Sequence, residues 1–432
     1  MTRRSIASLL AITIAIVGVA CGDDDDSGTP TTTAGVSPSP SGVVLGPADA
    51  VAVFGSPDVT EAALKLALDA EAPLKFFLAG SSRDPDSFDG AGLPAESFVR
   101  GVALEFFGAA EFDDAYEQRF GRSPGNFAGA REAYDAVYLI AFAAADAGSS
   151  EAAHVRDQLV HVANSPGEVV GPGGDAFFSA IQTIFGDDDV NYIGVSGQWD
   201  FTGEGESAKG RVSVWRLLGE QIVDQEVRDV DLAAEVGAEV PAGQTSPNLG
   251  NLAPPLRIGA ILPLETEGGI AVQDAMQLAA DEINDAGGLF GSPIELVFAD
   301  EADPTAAAAE LEAAGVSAII GPLSADVAQA VVGAVNVPQF VLTSSLAVRP
   351  VAGGNVFRGL SSDALQAPPL ANLALEDGVQ TMCVIYEEGA EYEALANEFK
   401  DAFEHKGGGV RALVGLSADG ALEGDLEACL GA

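Results

Sequence analysis

Leu256-Arg257-Ile258-Gly259-Ala260-Ile261-Leu262, followed by a helical pattern over residues 271–286 and then Gly287-Gly288, is the stretch whose reading decides the fold. The seven-residue run is apolar apart from Arg257, which suits a strand covered on both faces. The next segment repeats its apolar residues at helical spacing and stops at a glycine pair, a common helix terminator. A buried strand feeding an amphipathic helix is the first part of a βαβ unit, and the pattern continues. Strands are expected at 294–298, 316–320 and 338–342, with helices over 304–314 and from about Ala325. After Asn355-Val356-Phe357-Arg358 come helix 363–376, strand 381–386, helix 391–405, strand 410–415 and helix 421–430. Such alternation predicts an α/β fold with parallel sheets and right-handed crossovers.

The text ahead of residue 255 reads the same way. Val51-Ala52-Val53-Phe54 is a strand ending at Gly55, residues 60–69 are helical, and 75–79 form the next strand. Residues 132–147 and 151–163 read as long helices, and 211–217 with 221–226 as a late hairpin. Residues 227–254 carry Pro, Gly, Asn and Ser with little periodicity and read as a linker.

The extreme N-terminus is different. Arg3 and Arg4 precede a short apolar run over residues 6–19, and Gly18-Val19-Ala20 precede Cys21. Residues 1–20 resemble a bacterial lipoprotein signal peptide, which implies lipidation at Cys21. A cleaved signal with a chance cysteine is the alternative, and Arg3-Arg4 weakly suggests twin-arginine export. Residues 21–47, rich in Asp, Ser, Thr, Pro and Gly, form a flexible tether.

Of 432 residues, 65 are acidic and 20 basic, giving a formal charge of −45, so nucleic acid and anionic lipid surfaces are excluded as partners. The acids are spread along the whole chain, which fits a solvated surface rather than a steering patch. Besides Cys21 there are Cys383 and Cys429, which in an exported chain either pair or stay as two buried thiols. No zinc spacing occurs.

From residue 255 the chain resembles the type I periplasmic binding proteins, specifically the leucine/isoleucine/valine-binding family that feeds ABC importers. The resemblance is carried by Arg257-Ile258-Gly259-Ala260-Ile261-Leu262-Pro263-Leu264 and by Ala280-Asp281-Glu282-Ile283-Asn284-Asp285-Ala286-Gly287-Gly288. Further on it rests on Ala318-Ile319-Ile320-Gly321-Pro322-Leu323-Ser324 and on Asn355-Val356-Phe357-Arg358 with Ser362-Asp363. Residues 48–226 resemble the later part of the same family, through Ala50-Val51-Ala52-Val53-Phe54-Gly55, Glu132-Ala133-Tyr134-Asp135-Ala136-Val137 and Gly194-Val195-Ser196-Gly197 with Asp200-Phe201. The resemblance therefore implies two Rossmann-like lobes with central parallel sheets and hinge crossovers, in circularly permuted order. Residues 255–358 would start the first lobe and 359–432 the second. Residues 48–226 would supply second-lobe strands, then first-lobe helices, then the return strands. A remnant of two tandem genes would give the same text. A Cys383–Cys429 bond would pin the end near residue 432 and contribute about 3–4 kcal/mol through loop closure.

The resemblance also implies function: an extracytoplasmic protein, lipid-anchored to the outer face of the membrane, that presents a small polar solute to an ABC permease as a monomer, with no cofactor and no metal. The ligand would sit between lobes. Helix N-termini after Leu323 and Ser344, with the hydroxyls of Ser324, Thr343, Ser344 and Ser345, would receive a carboxylate. Tyr392 stands where the family covers the ligand with a tyrosine. The family's set is incomplete here: Ala325 and Ala347 stand where amino-acid binders carry serine and threonine, and Ser56-Pro57 replaces an aromatic pair. Ser81 falls in the segment that usually supplies a carboxylate for the amino group, leaving Asp84 as the nearest acid, and Asp326 would oppose a bound carboxylate. An amino acid, an amide, a polyol, a cationic solute or a degenerate site all remain open, as does a sensory or structural surface lipoprotein without a transport role. An enzyme is not expected. His154 and His161 share one helix face without a third ligand, and Gly171-Pro172-Gly173-Gly174 lacks the Lys-Ser/Thr of a phosphate loop.

Overall fold

A computed structural model describes residues 46–105, 109–125, 127–186, 188–243 and 255–431. The leader, Cys21 and the tether up to residue 45 lie outside the described residues, as do residues 244–254 of the expected linker. In chain order the first elements are β1 (Ala50–Phe54), α1 (Pro57–Asp69), β2 (Lys75–Leu78), β3 (Phe98–Leu104), α2 (Ala110–Phe120), α3 (Ala130–Ala147) and α4 (Ala152–Ala163). They are followed by β4 (Glu168–Val170), α5 (Gly174–Phe185), β5 (Val190–Gly194), β6 (Gly197–Gln198), β7 (Lys209–Leu218), β8 (Gln221–Asp231) and α6 (Leu232–Val236). Beyond residue 255 come β9 (Arg257–Leu262), α7 (Glu267–Asp285), β10 (Glu295–Asp300), α8 (Pro304–Ala314), β11 (Ala318–Ile320), α9 (Ala325–Val331), β12 (Gln339–Val341) and β13 (Val356–Arg358). The last are α10 (Ala367–Glu376), β14 (Thr381–Glu387), α11 (Ala390–His405), β15 (Gly409–Leu416), β16 (Leu422–Glu423) and α12 (Leu426–Leu430).

The strands form two main sheets. One is five-stranded and wholly parallel, in the order β10-β9-β11-β12-β13. The other is eight-stranded, β16-β15-β14-β1-β2-β3-β7-β8, parallel through its middle and antiparallel at both edges. Its central strand shows why the pattern was readable. All of Ala50–Phe54 is buried, because helices cover both faces and β14 and β2 flank it on either side. The chain passes between the two sheets after β3, between β6 and β7, and after β13. Each half therefore needs the other to complete its layers, in an α/β architecture of two parallel-rich sheets.

The first lobe is organised by α3. Every residue of this helix except Arg131 is buried, and its alanines let α4 and α7 approach closely. Tyr134, Asp135 and Tyr138 tie it to other elements. Tyr134 and Tyr138 donate to one oxygen of Glu282 on α7, at 2.5 and 2.6 Å. Asp135 accepts from the Tyr192 hydroxyl at 2.7 Å and from the Val195 and Ser196 amides at 3.0 and 2.7 Å, fastening the β5–β6 hairpin to the helix. Gly194 is required there, since a Cβ would stand 2.2 Å from the Asp135 carboxyl.

Three expectations are corrected. The hairpin is longer than read: β8 runs to Asp231, whose carboxylate then caps α6, so the linker begins later than residue 227. The expected helix over 421–430 is β16, a turn at Gly424 (φ +127°) and a short α12 started by Asp425, which accepts from the Ala428 amide at 3.0 Å. No helix follows Ser344: residues 343–348 form a turn. The Arg358 guanidinium takes the carbonyls of Thr343, Ser345 and Val348, which a helix would have given to its own amides.

Cys383 of β14 and Cys429 of α12 are joined in a disulfide, with Cα atoms 5.3 Å apart and a sequence separation of 46. The bond holds α12 against the sheet beside β1, where the Ala48 amide donates to the Leu430 carbonyl at 2.9 Å. Replacing both cysteines by alanine is expected to lower unfolding free energy by about 3–4 kcal/mol. Urea titration of the oxidised parent and the double variant measures this.

Candidate functional site

Ligands bind at the C-terminal ends of parallel strands in open α/β folds, and the hydrogen bonds below join the end of β12 to the end of β2. On the first lobe, Ser324 is exposed, and its hydroxyl accepts from the Val327 amide at 3.3 Å, so it caps α9. Ala325 begins that helix and brings no polar group, while Asp326 is exposed beside it. Thr343 and Ser345 are buried. Each hydroxyl accepts an amide two residues on, from Ser345 at 3.3 Å and from Ala347 at 3.2 Å. The Ala347 carbonyl takes the Gln329 amide group at 3.3 Å. Ser344, half-buried between them, turns towards Asp363 instead. Its hydroxyl bonds the Asp363 carboxyl, and its carbonyl accepts the Asp363 amide at 3.0 Å.

Asp363 carries the line onward to the second lobe. It accepts from the Gln366 side-chain amide at 2.8 Å, and the Gln366 oxygen in turn accepts the Gly80 backbone amide at 2.7 Å, at the end of β2. Next in that loop, the Ser81 hydroxyl bonds the Tyr392 phenol. Ser56, at the start of α1, donates its backbone amide to Glu387 at 2.6 Å. A polar chain thus runs from the end of β12 to the end of β2, and Tyr392, Glu387 and Glu391 stand around it. Asp84 is not part of it: its carboxylate caps its own turn by accepting from the Asp86 amide at 2.9 Å.

The electrostatics of this cluster are acidic. Burial pushes the Asp363 carboxyl up to about 6; the Glu391 charge adds to this, while the Ser344 hydrogen bond and Arg358 oppose it. Burial also pushes Tyr392 up to about 12, with the Glu391 and Glu387 charges acting in the same sense. Sequence reasoning had marked Ser362-Asp363 only as a family motif and had missed Gln366, Glu387 and Glu391 as site residues. Glu387 was visible as an acid at the end of a parallel strand; for Gln366 there was no signal. The two helical histidines are held locally, His154 by Ser149 at 3.0 Å and His161 by Gln158 at 2.8 Å. Among the described residues no group of His, Cys, Asp and Glu could hold a metal, and no helix is long and apolar enough to cross a membrane.

A polar line thus joins the strand ends of the two lobes. Residues 255–421 match the periplasmic binding protein family. The chain is 32% identical over 165 residues to the Leu/Ile/Val-binding protein homolog 3 of Brucella melitensis biotype 1, covering 35% of this chain and 45% of the relative. Among solved structures it is similar to an ABC transporter substrate-binding protein from Desulfitobacterium hafniense in complex with Leu, at 26% identity and TM-score 0.29, covering 40% of this chain and 52% of that one. It is also similar to an ABC transporter solute-binding protein from R. palustris in complex with 4-hydroxybenzoate, at 22% identity and TM-score 0.30, covering 38% and 47%. The matched region thus spans about half the length of these relatives.

Two carboxyls give the fold a pH dependence. Burial raises Asp363 from 3.8 to about 6 and Glu132, on α3, from 4.5 to about 7. Both bind protons more tightly folded than unfolded, so their contribution is complete below about pH 4 and is lost as pH rises towards 7. Asp363→Asn is expected to flatten the fall in urea midpoint between about pH 4 and 6, and Glu132→Gln the fall between about pH 4.5 and 7. Slopes equal to the parent's would refute the assignment.

Proposed function

We propose that the chain is exported, lipidated at Cys21 and held at the outer face of the membrane, where it captures a small polar solute, amino-acid-like or an amide, for an ABC permease. The observation that carries this reading is the line Ser344–Asp363–Gln366–Gly80, which draws the two lobes' strand ends to one place, with Tyr392 and Ser81 beside it. The family match over residues 255–421 supports the same class of task. In this reading Asp363, Glu387 and Glu391 receive the ligand's amino group, the part first sought in Asp84. A second reading, a sensing or structural lipoprotein with a degenerate site, draws support from Ser324, Thr343 and Ser345. Their hydroxyls are engaged in local turns and leave a carboxylate few donors.

A thermal-shift screen of amino acids, amides, polyols and aromatic acids separates the two. A ligand at a hundred times its Kd adds about 2.7 kcal/mol to unfolding. The transport reading expects at least one such shift, weakened tenfold or more by Tyr392→Ala or Ser344→Ala, and release from the membrane fraction on Cys21→Ser. A screen without any shift leaves the second reading.

We further propose that the halves form one circularly permuted binding fold closing within a single chain. In support, β1 pairs in parallel with β14, and Gly431 lies against Pro47, so close that a Cβ on it would stand 2.9 Å from the proline Cα. A rewired chain running 255–431 directly into 46–243 is expected to unfold in one cooperative transition as a monomer and to give the same ligand shift. Separate transitions, or an obligate dimer, would count against a single permuted fold.

A further inference from the structure

The eight-stranded sheet has a far side that the interlobe cleft does not use. The cleft residues stand at the ends of β14, β1 and β2, whereas β7 and β8 lie beyond β3. With about 4.8 Å between neighbouring strands, β8 is roughly 20 Å from β1. A cavity of about 310 Å³ opens there, bounded by Glu132 of the first lobe, Trp199 and Asp200 of the crossing between lobes, and Lys209 and Asp231 of β7 and β8.

Its chemistry is that of a cation receptor. Asp200 is 1% exposed; one oxygen takes the Lys209 ammonium at 2.5 Å and the Gln198 amide group at 2.7 Å. The other oxygen is buried and has no hydrogen-bond partner among the described residues. A buried acceptor left without a donor is unfavourable, and an incoming N–H group would pair it. Asp231 uses one oxygen to cap α6, at 2.9 Å from the Ala233 amide, and its other oxygen lies 4.0 Å from Lys209. The cavity's own cations are engaged. Arg358 is committed to Glu206 and three carbonyls, and Lys209 to the two aspartates. The Trp199 indole N–H is bonded to Ser196 at 3.0 Å, leaving its ring as an apolar wall.

We propose that this cavity is a second binding site, separate from the interlobe cleft, for a small organic ammonium ion of the short alkyl diamine class. One ammonium donates to the unpartnered oxygen of Asp200 and the other lies at Asp231. Because the walls include the crossing between lobes, occupancy braces the hinge.

Calorimetric titration of the full chain with 1,4-diaminobutane in 0.15 M NaCl tests this, with butane-1,4-diol as the neutral control of equal length. The salt suppresses general attraction to the acidic surface. Saturable binding of the diamine, none of the diol, and a loss of tenfold or more with Asp200→Asn are expected. Asp231→Asn, at the rim, should weaken binding severalfold even if Asp200→Asn fails to fold, and Tyr392→Ala should leave it unchanged. Absence of saturable binding, or parent-like affinity in Asp231→Asn, overturns the proposal. So does loss of binding on Tyr392→Ala, which would move the amine to the cleft. A failed solute screen at the cleft does not bear on this outcome.

Discussion

The Arg358 guanidinium is the joint on which the two lobes depend. Its side chain has no exposed surface, and each of its five N–H groups is used. Two go to Glu206, at 2.7 and 3.0 Å, and three to the carbonyls of Thr343, Ser345 and Val348. Its backbone amide also donates to Gly205, at 2.9 Å. One residue at the end of β13 thereby fixes the turn after β12 and the crossing that leads to β7. A buried ion pair repays its desolvation only when geometry and extra hydrogen bonds are complete, and removing one partner from such a pair costs about 3–5 kcal/mol. Lysine, with three donors and no planar fork, could not serve both groups of acceptors.

The shape of the candidate site follows from that joint. By drawing the carbonyls of Thr343, Ser345 and Val348 inward, Arg358 turns Thr343 and Ser345 into the protein and leaves Ser344 facing Asp363. The helix terminus that would have offered free amides to a carboxylate is lost in the same step. What the cleft gains is a line of neutral donors and acceptors ending in carboxyls, a surface that suits amino groups better than acids. Asp363 illustrates the balance: burial favours its neutral form, while Ser344 and Arg358 favour its charge.

Most of the fold was legible because its central strands are buried on both faces. Ala50–Phe54 and Arg257–Leu262 are near-continuous apolar runs, and the helix over Pro304–Ala314 was readable to the residue between Asp303 and Gly315. Legibility failed where a long-range partner overruled local propensity. Nothing near Ser344 announces that an arginine further on will claim three carbonyls, so a helix was the reasonable local expectation. The site was legible as a set of loops but not as a set of side chains. Whether a serine serves a ligand or its own turn depends on where its hydroxyl points, and Ser324, Thr343 and Ser345 are each spent locally. Asp84 failed for the same reason, by capping the turn that carries it.

The interlobe segments have different neighbours on their two sides, and this bears on how the lobes can move. Towards β14, β1 and β2 the crossing after β13 carries Asp363 and Gln366, joined to both lobes. Towards β7 and β8 the crossing between β6 and β7 carries Asp200, whose ion pair with Lys209 ties it to the second sheet. Arg358 and Glu206 stand between the two sides and couple one crossing to the other. A change of angle between the lobes must therefore either carry this pair along as a rigid unit or break the hydrogen bonds of a fully buried guanidinium. The first is far less costly, so opening should bend the segments flanking the pair: residues 359–362 on one crossing and 207–209 on the other.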